Sequence, residues 1–197
     1  MFLTKSPSLP AFDPVLVHDP IMLRSATLDD FEAWRNLRED SREHLTRWEE
    51  NWVPHQISQA SFKRRLKNYD RDRRRGGGLF LLAFRRSDKT LVGGVTLTNI
   101  RYGASRSGLL GYWIGAEFTG CGYATAAVTA MLDHAFDNID LNRIVAACQP
   151  ENVASQKLLN KCGFSHEGIA RSYLKINGLW RDHYMFSKLS SDLKVEI

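Results

Sequence analysis

Apolar residues recur along this chain with two periods. Leu28, Phe31, Trp34 and Leu37 fall three apart, the spacing of one helix face, behind a Thr27-Leu28-Asp29-Asp30 segment of capping-box type. Ser41 to Trp48 and Ser58 to about Arg73 read as two further helical pieces. The second carries Phe62, Leu66 and Tyr69 on one face and most of its basic residues on the others, and Gly76-Gly77-Gly78 ends helical order. Strand patterns occupy Ile21 to Arg24, Leu79 to Arg85, Leu91 to Ile100 and Gly108 to Gly115. The short connections among the last three predict an antiparallel meander. A helix with Ala124, Val128, Met131, Leu132 and Ala135 as its apolar stripe comes next, then a strand from Arg143 to Cys148 and a helix from Val153 to Cys162. Gly163 followed by Phe164 is the stop signal of that helix. Ile169 to Ile176 and Trp180 to Leu189 flank Asn177-Gly178, a strong hairpin signal. The expected fold class is α/β (α+β): one domain over residues 21–190, a mixed, mostly antiparallel twisted sheet flanked by helices. An extended N-terminal arm, residues 1–20, precedes it and a tail, residues 191–197, follows.

Composition narrows this picture. With 197 residues and 43% hydrophobic content the chain suits a single buried core. Pro7, Pro10, Pro14 and Pro20 interrupt any apolar run that a secretory leader needs, and no stretch approaches the length of a membrane span. Cys121, Cys148 and Cys162 are odd in number and contain no C-x-x-C pair, which predicts neither a disulfide framework nor a metal site and suits a reducing cytoplasm. The formal charge of +5 is unevenly placed: Ser61 to Lys89 holds 11 Lys+Arg against 3 Asp+Glu. Such a segment suits contact with a polyanion, either RNA or a cofactor phosphate, and equally suits a solvated helix face.

Gly120-Cys121-Gly122 joins a strand to a helix. Main-chain N–H groups at a helix start are unpaired and lie at the positive end of the dipole, so such a loop is suited to a pyrophosphate. A dinucleotide-binding loop asks for a third small residue where Thr125 stands and for an acid after the next strand, whereas Asp140 precedes it. A P-loop asks for Gly-Lys-Ser/Thr, which is missing.

Several ordered motifs then coincide. Glu117-x-x-Gly120-x-Gly122-x-Ala124, Asn152-Val153-Ala154-Ser155 and Lys161-Cys162-Gly163-Phe164 resemble the GCN5-related N-acetyltransferases. Leu45-x-x-Trp48-Glu49, Leu110-Gly111-Tyr112-Trp113-Ile114-Gly115 and Asn177-Gly178-x-Trp180-Arg181-Asp182-His183 resemble the RimJ-like ribosomal-protein-alanine N-acetyltransferases within them. The resemblance spans roughly residues 21–190. It implies acetyl-CoA as co-substrate, with its pantetheine arm along Tyr112 to Gly115, Ile114 and Gly115 included. It also implies a pyrophosphate wrapped by the amides of Gly120, Cys121, Gly122, Tyr123, Ala124 and Thr125, and a cofactor hydrogen bond from Asn152. Ser155 matches the proposed proton donor to the departing thiolate. Glu117 departs from the family's usual Gln or Arg and is expected to repel a pyrophosphate unless its side chain points away. Leu159 stands where some relatives carry a tyrosine acid.

Amide formation from a thioester needs a neutral amine, donors for the developing oxyanion and a settlement of two protons. An α-amine with a reference pKa of about 7.7 to 8.0 needs no strong base, and a thiolate whose conjugate acid lies near 8.5 needs only a weak donor. On spacing alone Ser155 is equally a helix-capping residue. Glu49, Glu167 and Asp182 are the candidate bases and are not separable in sequence. Asp182-His183 beside Ser155 does not make a triad, because no nucleophile-elbow motif is present and adjacent strand residues face opposite ways. Trp34, Trp48, Trp52 and Trp113 are candidates for an acceptor cleft. The expected function is transfer of an acetyl group to the N-terminal α-amine of a protein, a ribosomal protein beginning with Ala or Ser. The alternatives are a small-amine acetyltransferase for a polyamine or aminoglycoside, and a non-catalytic basic module that contacts RNA or the ribosome.

Overall fold

Eight strands build one sheet: β1 (Leu16–His18), β2 (Ile21–Ser25), β3 (Leu79–Arg85), β4 (Leu91–Arg101), β5 (Ser107–Ile114), β6 (Arg143–Cys148), β7 (Ser165–Ile176) and β8 (Leu179–Leu189). They lie in the order β1-β2-β3-β4-β5-β6-β8-β7, and every neighbouring pair is antiparallel except β5 and β6. Among the described residues five α-helices accompany them: α1 (Phe31–Asp40), α2 (Arg42–Thr46), α3 (Gln59–Arg74), α4 (Tyr123–Asp133) and α5 (Val153–Lys161). The computed structural model describes residues 13–193 apart from Asn51 and Pro54, so most of the expected arm and the last four residues of the expected tail lie outside the described residues. Within the arm, Leu16–His18 pairs with β2 as an edge strand.

The mixed, mostly antiparallel sheet expected from the pattern is the one observed. Thr27 and Asp30 form the capping box: the Asp30 carboxylate accepts the Thr27 backbone N–H at 2.7 Å and also receives the Arg24 guanidinium through two bonds of 2.8 and 2.6 Å. Asn177 and Gly178 both have positive φ, 51° and 80°, as a tight hairpin turn requires. β7 begins at Ser165, earlier than the apolar alternation indicates, because bulges between His166 and Gly168 and between Ala170 and Leu174 break the period.

Two cores sit on opposite faces of the sheet. On one, Leu81, Val95 and Leu110 pack with Ala127, Val128 and Met131 of α4 and Leu159 of α5. On the other, Leu82, Phe84 and Leu91 meet Phe31, Trp34 and Leu37 of α1 and Phe62 of α3. The first core is mainly aliphatic, with Phe136, Phe164 and Phe186 among its buried residues. The second is aromatic, with the Phe62 ring 4.8 Å from that of Trp34 and 5.6 Å from that of Phe31.

Candidate active site

The parallel pairing of β5 with β6 runs from Ser107 opposite Arg143 to Leu110 opposite Ala146 and goes no further. Beyond that point β5 stays bonded to β4 as far as Ile114, and β6 stays bonded to β8 as far as Cys148. The two strands therefore splay, and Gly111 to Ile114 face Ala147 and Cys148 across a wedge. The Gly115 N–H reaches back to the Val92 carbonyl at 2.9 Å; because successive N–H groups along a strand alternate in direction, the Ile114 N–H points into the wedge. Just past the strand, the Ala116 N–H donates to the Oγ of buried Ser41 at 2.8 Å, tying the junction of α1 and α2 to this edge.

The loop between β5 and α4 ends in two glycines with positive φ, 76° at Gly120 and 81° at Gly122, and a Cβ at either would meet nothing within 4 Å. Glycine is thus required there by conformation and not by packing. No side chain caps α4, whereas Ser58 caps α3 and Asn152 caps α5. The first intrahelical bond of α4 joins the Ala126 N–H to the Gly122 carbonyl, which leaves the N–H groups of Tyr123, Ala124 and Thr125 to an anion. Cys121 is exposed, its thiol directed at the Thr119 carbonyl at 3.6 Å, and Glu117 is exposed in the turn before the loop.

α5 carries Ser155 to the same wedge. The Asn152 Oδ1 accepts the Ser155 backbone N–H at 3.1 Å, so Asn152 is the cap and the serine hydroxyl is spared that role. That hydroxyl lies 2.5 Å from the phenolic oxygen of Tyr112 on β5. Burial pushes the Tyr112 phenol above the usual tyrosine range, with Ser155 acting the other way, and burial also raises the thiol of Cys148 beside Ser155. Leu159 is fully buried and supplies no proton donor. Tyr112 as a partner of Ser155 was not legible in sequence.

On the opposite face a cavity of about 410 Å³ opens between α1, α3, β3, β4 and β7, with Trp34, Arg38, Trp48, Glu49, Glu50 and Arg65 in its wall. Arg38 holds Glu49 through two bonds of 2.8 and 2.5 Å, and the Trp52 indole N–H donates to the same carboxylate at 2.9 Å. The Arg38 guanidinium lies 4.5 Å from the Trp52 ring centre and 5.0 Å from that of Trp113. The other candidate bases are engaged elsewhere. Glu167 accepts from Arg143 and from Ser187, which hold its carboxyl below the usual range, and Asp182 accepts the Ser172 backbone N–H at 2.8 Å to fix a bulge of β7. Of the three, Glu49 is the one that lines the cavity. Within the basic segment, Arg71, Arg73, Arg74, Arg85 and Arg86 are ion-paired, and Lys63, Arg64, Lys67 and Arg75 are exposed.

A family model described as an acetyltransferase (GNAT) domain matches residues 21–165. The chain belongs to the GNAT acetyltransferases. As a GNAT enzyme it takes its acetyl group from acetyl-CoA. It is 31% identical over 172 residues to the probable N-acetyltransferase YjcK of Bacillus subtilis, covering 87% of this chain and 95% of that protein. It is 28% identical to the [ribosomal protein uS5]-alanine N-acetyltransferase of Escherichia coli, over 90% of this chain and 91% of that one. Among solved structures, Mycobacterium smegmatis RimJ in complex with CoA-disulfide superposes with a TM-score of 0.86 at 32% identity, over 92% of this chain and 88% of that one. Among the described residues of this GNAT enzyme no group of His, Cys, Asp and Glu is placed to hold a metal ion, and no helix is long and apolar enough to cross a membrane.

Proposed function

We propose that this enzyme acetylates the N-terminal α-amine of a cytoplasmic protein, a ribosomal protein beginning with Ala or Ser, by direct transfer in a ternary complex. The observation that carries this reading is the closed ion pair in the cavity wall. Glu49 is matched by Arg38, and the wall's other acid, Glu50, is balanced in number by Arg65, so the cavity offers aromatic walls with as many arginines as carboxylates in place of the anionic trough that a polyamine needs. The likeness to uS5-alanine and RimJ enzymes supports the same choice.

Acetyl-CoA is assigned to the wedge, its pantetheine along the free edge of Tyr112 to Gly115 and its pyrophosphate on the amides from Gly120 to Thr125. Asn152 keeps its amide NH₂ for the cofactor, since its oxygen is occupied by the cap. The Ile114 N–H stabilises the oxyanion, and Ser155 protonates sulfur. With an α-amine of reference pKa about 7.7 to 8.0, water suffices to take the surplus proton. The exposed Lys63, Arg64, Lys67 and Arg75 steer the enzyme toward an RNA-rich acceptor particle.

Incubating the enzyme with acetyl-CoA and peptides beginning with Ala or Ser tests the proposal. Thiol release with one acetyl group on the N-terminal fragment is expected, together with little turnover of spermidine or of an N-terminally blocked peptide bearing Lys. Preferred spermidine turnover would establish the small-amine reading, and absence of both acetyl-CoA binding and thiol release would favour the non-catalytic module. Steering predicts that KM for a ribosomal acceptor rises with salt more steeply than KM for a short peptide.

A further inference from the structure

The phenol of Tyr112 has one hydrogen-bond partner among the described residues, the Oγ of Ser155 at 2.5 Å. The two oxygens share one hydrogen, and with the part-buried phenol keeping its proton the contact is assigned with Tyr112 O–H as donor and Ser155 Oγ as acceptor. Ser155 in turn is anchored at its backbone by Asn152, which leaves its own hydroxyl hydrogen as the one mobile element of the group. Beside it lies the buried thiol of Cys148, which burial holds above the usual thiol range.

We propose that Tyr112 is a positioning residue for acetyl transfer: by donating to Ser155 Oγ it fixes the serine hydroxyl so that its hydrogen is presented across the wedge to the departing sulfur. This rests on the assignment of Ser155 as donor made above. In the step itself the acceptor nitrogen forms a bond to the acetyl carbon, the carbon–sulfur bond breaks and its electron pair goes to sulfur. The Ser155 proton follows that pair, and the proton shed by the acceptor nitrogen returns to Oγ through water. Tyr112 keeps its proton throughout, in line with a phenol held above the ordinary tyrosine range. A donating neighbour also makes the serine hydroxyl a better donor, because linked hydrogen bonds polarise one another.

The test is a double-mutant cycle read by kcat, KM and acetyl-CoA Kd. Loss of one hydrogen bond of ordinary strength predicts that Tyr112→Phe lowers kcat about 3- to 10-fold while acetyl-CoA Kd stays within about twofold. Ser155→Ala lowers kcat on the order of 100-fold, and the double variant is no slower than Ser155→Ala, because Tyr112 acts only through that hydroxyl. With acetyl-seleno-CoA, whose leaving selenol is more acidic, the Tyr112→Phe defect shrinks, an effect that a purely structural role does not produce. Should Tyr112→Phe not fold, 3-fluorotyrosine at position 112 keeps the ring and donates more strongly, with kcat expected to change at constant Kd. Unchanged kcat in the folded Phe variant, or a double variant slower by the product of the single effects, would overturn the inference while leaving Ser155 in place. Unchanged kcat in Ser155→Ala would instead remove the assignment beneath it.

Discussion

The two faces of the sheet share their strands and little else. The α4/α5 face is mainly aliphatic and carries a hydroxyl pair, Tyr112 with Ser155. The α1/α3 face is aromatic and carries a charged pair, Arg38 with Glu49, between two indole rings. One strand serves both, since neighbours on β5 point to opposite sides and Tyr112 is followed by Trp113. On the proposed function, the difference follows the two halves of the reaction. A thiolate is a good leaving group, so the donor side needs only a weak, well-held hydrogen-bond donor in dry surroundings. The acceptor side has to tell one amine from another, which calls for shape, ring faces and placed charge. Placed charge is costly: Arg38 retains 9% of its side-chain exposure against 28% for Glu49, and the desolvation is offset by the paired oxygens, the Trp52 N–H and the two rings.

The contrast can be broken from either side. Arg38→Ala leaves Glu49 without its counter-charge and is expected to cost about 3 kcal/mol, read as a fall in Tm with acetyl-CoA Kd unchanged. Replacing both members together, Arg38→Met with Glu49→Leu, restores most of that stability while KM for the acceptor stays high. Ser155→Ala gives the mirror result: a loss of kcat on the order of 100-fold, about 2.7 kcal/mol, with acceptor KM nearly unchanged and Tm lowered by the loss of the Tyr112 hydrogen bond, about 1 kcal/mol. Gly122→Val forces a branched side chain into left-handed backbone and crowds an anion there, at a cost of about 1 to 2 kcal/mol; calorimetry should show acetyl-CoA Kd rising about tenfold.

Away from both sites, burial pushes the Asp30 carboxyl up, but bonds from Arg24 and Thr27 outweigh it and hold the pKa below the usual value. Its contribution is therefore complete above the unfolded pKa of about 3.9 and disappears as pH falls through the lower folded value. Asp30→Asn is expected to cost about 1 kcal/mol at neutral pH, and thermal melts should show its Tm deficit narrowing only below about pH 4. The smallest effect expected is a gain: Glu117→Gln removes an exposed acid beside the phosphate loop and tightens acetyl-CoA binding by about twofold.

Local signals made much of this legible in sequence. Thr27 to Asp30 and Asn177-Gly178 act within a few residues, and the capping box and hairpin stand where their chemistry put them. Ser155 was ambiguous because capping and proton donation use the same residue type at the same place; the Asn152 side chain, three residues earlier, takes the cap. Tyr112 and Ser155 are 43 positions apart, and no pattern joins a strand tyrosine to a helix serine before the wedge exists. Glu49, Glu167 and Asp182 look alike as letters, and only their partners distinguish a cavity wall from a strand tie and a bulge. The basic segment misleads in the same way, since a count of charges does not see Asp70 receiving both Arg73 and Arg74.

The wedge between β5 and β6 has a thermodynamic meaning as well. A sheet ordinarily closes its own ladder, whereas this one leaves two lengths of edge open past Leu110 and Ala146. On the proposed assignment a pantetheine arm laid there would be a ninth strand, on loan, and the sheet on either side of it would be held together partly by mass action. At a hundred times its Kd such a ligand adds about 2.7 kcal/mol to the folded state. The cell's acetyl-CoA level would then set not only how fast this enzyme works but how long each copy of it survives.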